Sequence, residues 1–447
     1  MRLIVGSQEH FQKLLGKQPI KRSMRYRLMR YVLIVKCDER ILLLNVVTGQ
    51  VVLLNEVEVE LLQSLPVKYS SLIESLVRDY YLVPQDFDEH RMVFNLRKVL
   101  KSLNEAQKSK MINHYTILPT TACNARCYYC FERGTKFFTM TEKTANDVVD
   151  FIYSHSDRGS RILLSWFGGE PTVASHRIDQ ICEGLKAREI EYLSDMTTNG
   201  YLLQEKMINQ AVNLWNLKSV MICVDGTEAS YNKTKAFAGV SGSPYQQVMD
   251  NINLLLERKI YVELRMNFDL GNYKEFEGVI ENVKNLFGQN PYLKVTAHPI
   301  VGCYMDSDGI IKHADDDWFE NKVLELNDLS RENGLYPPIE QVSCLHFSGC
   351  EATTDTAVVI TPEGKLAKCP EQFDESQVIG NLEDGITNQS LVESWKNFED
   401  YQKCVDCVLY PRCEKISNCR VENLCHFRLE LIQREKNAVR EIFLMEQ

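Results

Sequence analysis

The chain has 447 residues, 44% of them apolar, and its length suits roughly two to four domains. A net charge of −10 excludes a general nucleic-acid binder, which would carry a basic footprint. No run reaches the apolar length of a transmembrane helix, and the apolar part of MRLIVGSQEH is too short for a signal peptide. No nucleic-acid partner, no membrane partner and a cytoplasmic location are therefore expected. In that reducing compartment, fifteen cysteines point to metal or catalysis rather than to disulfides.

The first expected unit spans residues 1–107. It opens with Lys13, Lys17, Lys21, Arg22, Arg25, Arg27 and Arg30, with no acid among them. Such a run is a solvated arm, or a patch that draws in an acidic peptide. Residues 31–36, 40–44 and 50–54 read as strands, with a turn signal at Val47-Thr48-Gly49-Gln50. Helical patterns then cover 56–65, 70–82 and 86–104, with Pro66 and Pro84 as stops and Ser70 and Asp86 as N-caps. Three strands followed by three helices form a winged-helix-like domain. It lacks a basic recognition helix, so DNA binding is the weaker use of it.

From 108 to 338, strands are expected at 115–119, 162–166, 192–197, 219–224, 261–267 and 293–299. Helical patterns lie between them, as at 141–154, 246–258 and 273–286. This βα rhythm implies a parallel sheet covered by helices. Six units are too few for a closed eight-stranded barrel. The fold class is thus α/β with a partial (β/α)6 barrel, and its site belongs at the carboxyl ends of the strands. From 339 to 447 the rhythm fails and cysteines and short turns dominate. That segment shows little core of its own and would need metal to hold it, before a helical stretch at 425–446.

Cys123, Cys127 and Cys130 follow the first barrel strand with the spacing C-x3-C-x2-C. Three thiolates on one loop can take three corners of a cubane and leave one iron open, where a substrate can bind. The bland alternative is a zinc loop lacking its fourth ligand. His114 could be offered for that place, but it would lie at the far end of the strand. Gly168-Gly169-Glu170-Pro171 closes the second strand, Thr197-Thr198-Asn199-Gly200 the third and Asp225-Gly226 the fourth. Any one of these is weak, since a lone Gly-Gly is most often a turn; together, in order and each at a strand end, they are strong.

In these motifs the chain resembles the radical S-adenosylmethionine (SAM) enzymes. The resemblance implies a four-iron cluster on Cys123, Cys127 and Cys130. Its open iron would be chelated by the methionine moiety of SAM, and one electron would yield a 5′-deoxyadenosyl radical. The GGEP-like run implies that Gly168, Gly169 and Glu170 serve the methionine ammonium, with Thr198 and Asn199 in the TNG-like run beside it. It also implies Tyr129 near adenine and Asn267 near the ribose. Two departures stand out. Cys223 takes the place of a frequent Ser, and Lys235 the place of a frequent Arg that pairs the methionine carboxylate; Lys supplies charge but not the bidentate fork.

Eight further cysteines fall at 344, 350, 369, 404, 407, 413, 419 and 425. The run C-x2-C-x5-C at Cys404, Cys407 and Cys413 resembles the SPASM domain of peptide-modifying radical enzymes, which carries two auxiliary four-iron clusters. Matched in order, Cys344, Cys350, Cys369 and Cys419 would hold one, and Cys404, Cys407, Cys413 and Cys425 the other. Eight cysteines also make two tetrahedral zinc sites, the alternative left open by counting alone. Three [4Fe-4S] clusters, SAM and an external one-electron reductant are thus implied. Cys37, Cys182, Cys223 and Cys303 read by default as buried free thiols, with Cys303 placed after the sixth strand.

The N-terminal unit resembles the leader-recognition element of ribosomal-peptide maturases, in which a leader peptide adds a strand at a sheet edge. This implies a precursor peptide as partner and crosslinking as outcome, with Cys thioether formation preferred over a carbon–carbon link. A sulfatase-maturase-like role is the neighbouring reading. Those relatives carry Asp after the third cysteine of the C-terminal region, whereas Pro370 and Glu371 follow Cys369 here.

Overall fold

The computed structural model describes residues 1–6, 14–107, 111–132, 136–157, 159–300, 316–336, 350–396, 402–413 and 428–446. The N-terminal strands are β1 (Arg2–Val5), β2 (Arg25–Leu28), β3 (Val32–Cys37), β4 (Arg40–Asn45) and β5 (Val51–Leu53). They are followed by α1 (Glu56–Gln63), β6 (Val67–Lys68), α2 (Glu74–Arg78), β7 (Leu82–Pro84) and α3 (Glu89–Gln107). Two sheets result, one ordered β1-β5-β4-β3 and one ordered β6-β2-β7.

The expected strands at 31–36, 40–44 and 50–54 are present, and so is the turn, where Gly49 takes φ +73°. The expected helix at 70–82 is shorter. It ends at Arg78, and Leu82–Pro84 instead pairs with β2. The basic run holds β2 at the centre of a sheet, with Tyr26 fully buried. Arg27 pairs with Glu89 at 2.7 Å and Arg30 with Asp406 at 2.7 Å, so much of that positive charge is met within the chain. Arginines at alternate positions of a four-residue strand hid its apolar face from a hydrophobicity pattern.

The barrel strands are β8 (His114–Ile117), β9 (Ile162–Trp166), β10 (Tyr192–Thr198), β11 (Leu217–Cys223), β12 (Tyr261–Phe268) and β13 (Leu293–Pro299), parallel and in sequential order across the sheet. Helices α4 (Glu142–His155), α5 (Ser175–Ala187) and α6 (Glu205–Asn213) follow β8, β9 and β10, α7 (Glu228–Lys235) and α8 (Pro244–Glu257) both follow β11, and α9 (Phe276–Phe287) follows β12. Thr141 caps α4, its hydroxyl accepting from the Thr144 amide at 3.0 Å. Period-2 alternation splits the sheet. Ile162, Leu164 and Trp166 are buried in the helix-side core, whereas Leu163 and Ser165 point to the barrel interior. That interior is polar, lined by Thr116, Ser165, Asp195, Glu263, Arg265 and Thr296.

The segment after 350 does more than expected. β14 (Ala357–Ile360) pairs in parallel with β8, and β15 (Lys365–Ala367), β16 (Gly380–Asn381) and β17 (Gly385–Ile386) extend the sheet antiparallel to ten strands. Val358, Ile360, Leu366 and Ile379 belong to the main barrel core. Runs of two to four residues carry too little periodicity to be read as strands, and the partner of β14 lies more than two hundred residues upstream. α10 (Asp316–Glu332) and α11 (Gln389–Lys396) pack on this body. The final helix, α12 (Arg428–Met445), instead contributes Val439 and Phe443 to the N-terminal core. No helix of the described residues is long and apolar enough to cross a membrane.

Candidate functional site

The loop leaving the carboxyl end of β8 carries Cys123, Cys127 and Cys130, and it has no helix or strand of its own. It is held through its backbone. Gly169 N donates to Thr120 O at 3.1 Å and Glu170 N to Ala122 O at 3.0 Å. The approach is tight: a Cβ at Gly168, whose φ is +115°, would lie 2.3 Å from Thr120 O, and one at Gly169 would lie 2.4 Å from Thr121 O. Only glycine fits there. From the other side Arg126 N donates to Lys235 O at 2.7 Å, and Ala238 N to Asn124 O at 3.0 Å. Asn199 Nδ2 donates to Asn124 Oδ1 at 2.7 Å, which ties the end of β10 to the same loop.

Burial pushes the Cys123 thiol up to about 12, with Glu170 and the neighbouring thiols adding to it. Cys127 is raised by burial too, against the pull of Lys235. Cys123 and Cys127 both sense the Cys130 thiol as well. This set fits a metal cluster, because ligation replaces each proton with cationic iron and removes the cost of a bare buried thiolate.

Glu170 is fully buried, and both of its oxygens accept hydrogen bonds. Thr172 N donates at 3.1 Å, Thr198 Oγ1 at 2.8 Å and Asn199 N at 2.7 Å. Burial raises its carboxyl above the ordinary range, and these donors oppose the rise. Its visible work is to fasten the end of β9 to the end of β10. Lys235 is also engaged. Its ammonium pairs with Asp225 at 2.7 Å and donates to the Tyr129 hydroxyl at 2.9 Å. Burial works most strongly against the ammonium, but Asp225 together with Cys127, Tyr129 and Cys223 outweighs it and holds Lys235 above the ordinary lysine range. Tyr129 donates to Asp225, and Asn267 Nδ2 bonds both Tyr129 and Asp225 at 3.1 Å. Tyr129, Lys235, Asp225 and Asn267 thus form one network across the ends of β11 and β12, against the cysteine loop. Cys223 ends β11, in register with Arg265.

The C-terminal cysteines fall in two places. Cys350 and Cys369 flank β14 and β15; burial pushes the Cys369 thiol up to about 11, with Cys350 among the charges it senses. Cys404, Cys407 and Cys413 pack instead on the N-terminal core. Cys303, Cys344, Cys419 and Cys425 lie outside the described residues.

Sequence reasoning missed what joins the Cys404–Cys413 stretch to the N-terminal domain. Arg97 donates to Tyr410 O at 2.8 Å and Cys413 O at 3.3 Å, His90 bonds the Tyr410 hydroxyl at 3.0 Å, and Tyr31 stacks on Tyr410 at 6.0 Å. Tyr410, a tyrosine between Cys407 and Cys413, was the only available signal.

Residues 117–283 match the profile of the Radical SAM superfamily. The GTP 3′,8-cyclase of Clostridium perfringens is 30% identical over 156 residues, which are 34% of this chain and 46% of that one. The probable GTP 3′,8-cyclase of Thermococcus kodakarensis is 33% identical over 94 residues, 21% of this chain and 29% of that one. The chain thus spans less than half the length of these curated relatives. Among solved structures, native anSMEcpe with bound AdoMet and Kp18Cys peptide superposes with a TM-score of 0.57 at 14% identity, covering 74% of this chain and 99% of the other. Streptococcus suis SuiB bound to precursor peptide SuiA gives 0.51 at 16% identity, covering 88% and 95%. At such identities the likeness is one of fold.

Proposed function

We propose that this chain, a radical SAM enzyme, matures a precursor peptide by crosslinking it, with a Cys thioether as the bond formed. The observation that carries this reading is the docking of the N-terminal domain on the Cys404–Cys413 stretch. One hydrophobic core holds the strands β3 to β5 and part of helix α12, with those three cysteines packed against it, which supports reading the N-terminal domain and the cysteine-bearing stretch as one working unit.

Cys123, Cys127 and Cys130 would hold the catalytic [4Fe-4S] cluster, and SAM would lie over the strand ends at Gly168, Gly169, Glu170, Thr198, Asn199, Cys223 and Asn267. When bound, that pair supplies a one-electron reduction and a primary carbon radical able to take a hydrogen atom. The chain's own part is placement. Gly168 and Gly169 let the backbone of the cysteine loop close on the sheet, Glu170 fastens β9 to β10, and the Lys235–Asp225 pair holds Tyr129 in its rotamer. Cys350, Cys369, Cys404, Cys407 and Cys413, with Cys344, Cys419 and Cys425, would hold two auxiliary clusters.

The leader would add to β1. Of the two edges of that sheet, β3 already receives Arg440 Nε of α12 on Lys36 O at 2.9 Å. β1 pairs through one side with β5, and Leu3 is 55% exposed on it. The test is anaerobic co-expression with a short cysteine-containing peptide encoded beside the gene. A loss of about two mass units per crosslink, the mark of oxidative bond formation, is expected. Thiol alkylation then separates a thioether from a carbon–carbon link. An unchanged peptide, with the wild type matching a Cys123→Ala control, would sink the maturase reading.

A further inference from the structure

We infer that Asp269 is a positioning residue for the cysteine loop, acting through Tyr128, a role that rests on reading this loop as the cradle of the catalytic cluster. The loop is held in two different ways. Its first part is tied to the strand ends and to the turn after α7 by backbone bonds at Thr120, Ala122, Asn124 and Arg126. Between Cys127 and Cys130 the described backbone makes one bond, Cys130 N to Cys127 O at 3.3 Å, and that bond stays within the loop. Among the described residues, no backbone bond joins this stretch, which carries two of the three cysteines, to the sheet.

Two tyrosine side chains supply what the backbone lacks. Tyr129 reaches Asp225, just past the end of β11. Tyr128 reaches a different strand: its hydroxyl donates to Asp269 Oδ2 at 2.7 Å, just past the end of β12. The two rings stand edge to face, at 86° with centroids 5.3 Å apart, so each limits the rotation of the other.

Asp269 is itself fixed. Its Oδ1 accepts from Gly271 N at 2.7 Å and Asn272 N at 3.2 Å, and its own amide donates to Asn272 Oδ1 at 2.8 Å. The turn thus occupies one carboxylate oxygen and directs the other at Tyr128. Asn272 Nδ2 in turn bonds Asn267 O at 3.0 Å and Asp225 O at 3.3 Å. The acceptors of both tyrosines therefore belong to one frame, joined through Asn272. A hydroxyl bonded to a carboxylate makes one of the stronger protein hydrogen bonds. Asp269 sets where Tyr128, and with it the stretch from Cys127 to Cys130, stands relative to β12, a task that no motif spacing marks.

The experiment uses the full-length, cluster-loaded protein, its Tyr128→Phe and Asp269→Ala variants and the double variant. Iron release to bathophenanthroline disulfonate is followed anaerobically. At each time point the reduced protein is read by EPR with and without SAM, because only a cluster with an open iron shifts its signal when SAM is added. Tyr128→Phe keeps the ring and removes one hydroxyl. It should speed loss of the SAM-responsive signal about tenfold, the size of one hydrogen bond to a charged acceptor, while iron that does not respond to SAM leaves at the wild-type rate. Asp269→Ala should do at least as much. In the Asp269→Ala background Tyr128→Phe should add nothing, since the two act as one unit. An unchanged release rate overturns the inference, and so do additive effects of the two substitutions. Equal acceleration for both kinds of iron would mark general destabilisation and overturn it too. Should Asp269→Ala fail to fold, the release rate of Tyr128→Phe decides. A wild type with no SAM-responsive signal would strike the radical SAM reading and the inference with it, whereas the other outcomes leave that reading intact.

Discussion

Replacing Gly168 or Gly169 with alanine tests whether the double glycine works by close approach to the cysteine loop. Three substitutions separate the causes. Gly242→Ala places a Cβ at φ +90° with nothing within 4 Å, so it carries backbone strain alone. Gly169→Ala has no unusual φ, but its Cβ would meet Thr121 O at 2.4 Å and Ala122 O at 2.6 Å, so it carries the clash alone. Gly168→Ala carries both, with φ +115° and Thr120 O at 2.3 Å. Strain of this kind costs about 1–3 kcal/mol. Relieving either clash pushes the loop away and endangers the bonds Gly169 N to Thr120 O and Glu170 N to Ala122 O, about 1 kcal/mol each. The expected order is therefore Gly168→Ala at about 3–5 kcal/mol, Gly169→Ala at about 2 kcal/mol and Gly242→Ala at or below the strain figure. Denaturant midpoints of the anaerobically purified proteins give the order, and iron per chain gives its consequence. Both loop variants should lose the iron held by Cys123, Cys127 and Cys130, while Gly242→Ala keeps it. Full iron loading in Gly169→Ala would refute the reasoning, because the clash would then have been absorbed without moving the thiols.

Three further outcomes are expected. Lys235→Met leaves the buried Asp225 carboxylate uncompensated and should cost about 3–5 kcal/mol in denaturant unfolding, with part of the loss recovered in the Lys235→Met/Asp225→Asn double variant. Asp195 is raised above the ordinary carboxyl range by burial, against the effect of Ser165 and His114. Its contribution is fully present below the unfolded Asp value and fades as pH rises through the raised one. The Asp195→Asn protein should thus show a flatter fall in denaturant midpoint as pH rises from about 4; parallel curves for the two proteins would count against a titrating Asp195. Removal of residues 1–6 deletes β1, and leader affinity measured by fluorescence anisotropy should fall about tenfold or more. Unchanged affinity would move the leader to another edge.

The barrel was largely legible because each of its strands runs four to eight residues and carries its own alternation. Ile162–Trp166 and Leu293–Pro299 fall where the sequence pattern puts them, and Thr141 caps α4 as its place before the apolar run suggests. The extension by β14 to β17 was not legible. Its strands owe their existence to pairing with β8 and with one another, and Gly380 is fixed by the close approach of the neighbouring strand, whose Gly385 carbonyl lies 2.0 Å from where a Cβ would stand. At the site, residue types at motif spacing pointed to Glu170 and Lys235 but not to their partners. Glu170 is spent on Thr172, Thr198 and Asn199, and Lys235 on Asp225, because burial of a charge demands local compensation that no spacing rule records.

The same requirement explains why the motifs recur at strand ends. The cysteine loop can place three thiols only if its backbone is fixed, and it has no ladder of its own to fix it. Each strand end therefore lends it something different. β9 offers the carbonyl-facing amides of Gly169 and Glu170, β10 offers the Asn199 side chain, and the turn after α7 offers the Lys235 carbonyl and the Ala238 amide. Glu170 and the Lys235–Asp225 pair then lock those strand ends to one another, so the loop is clamped by a frame whose parts are mutually fastened.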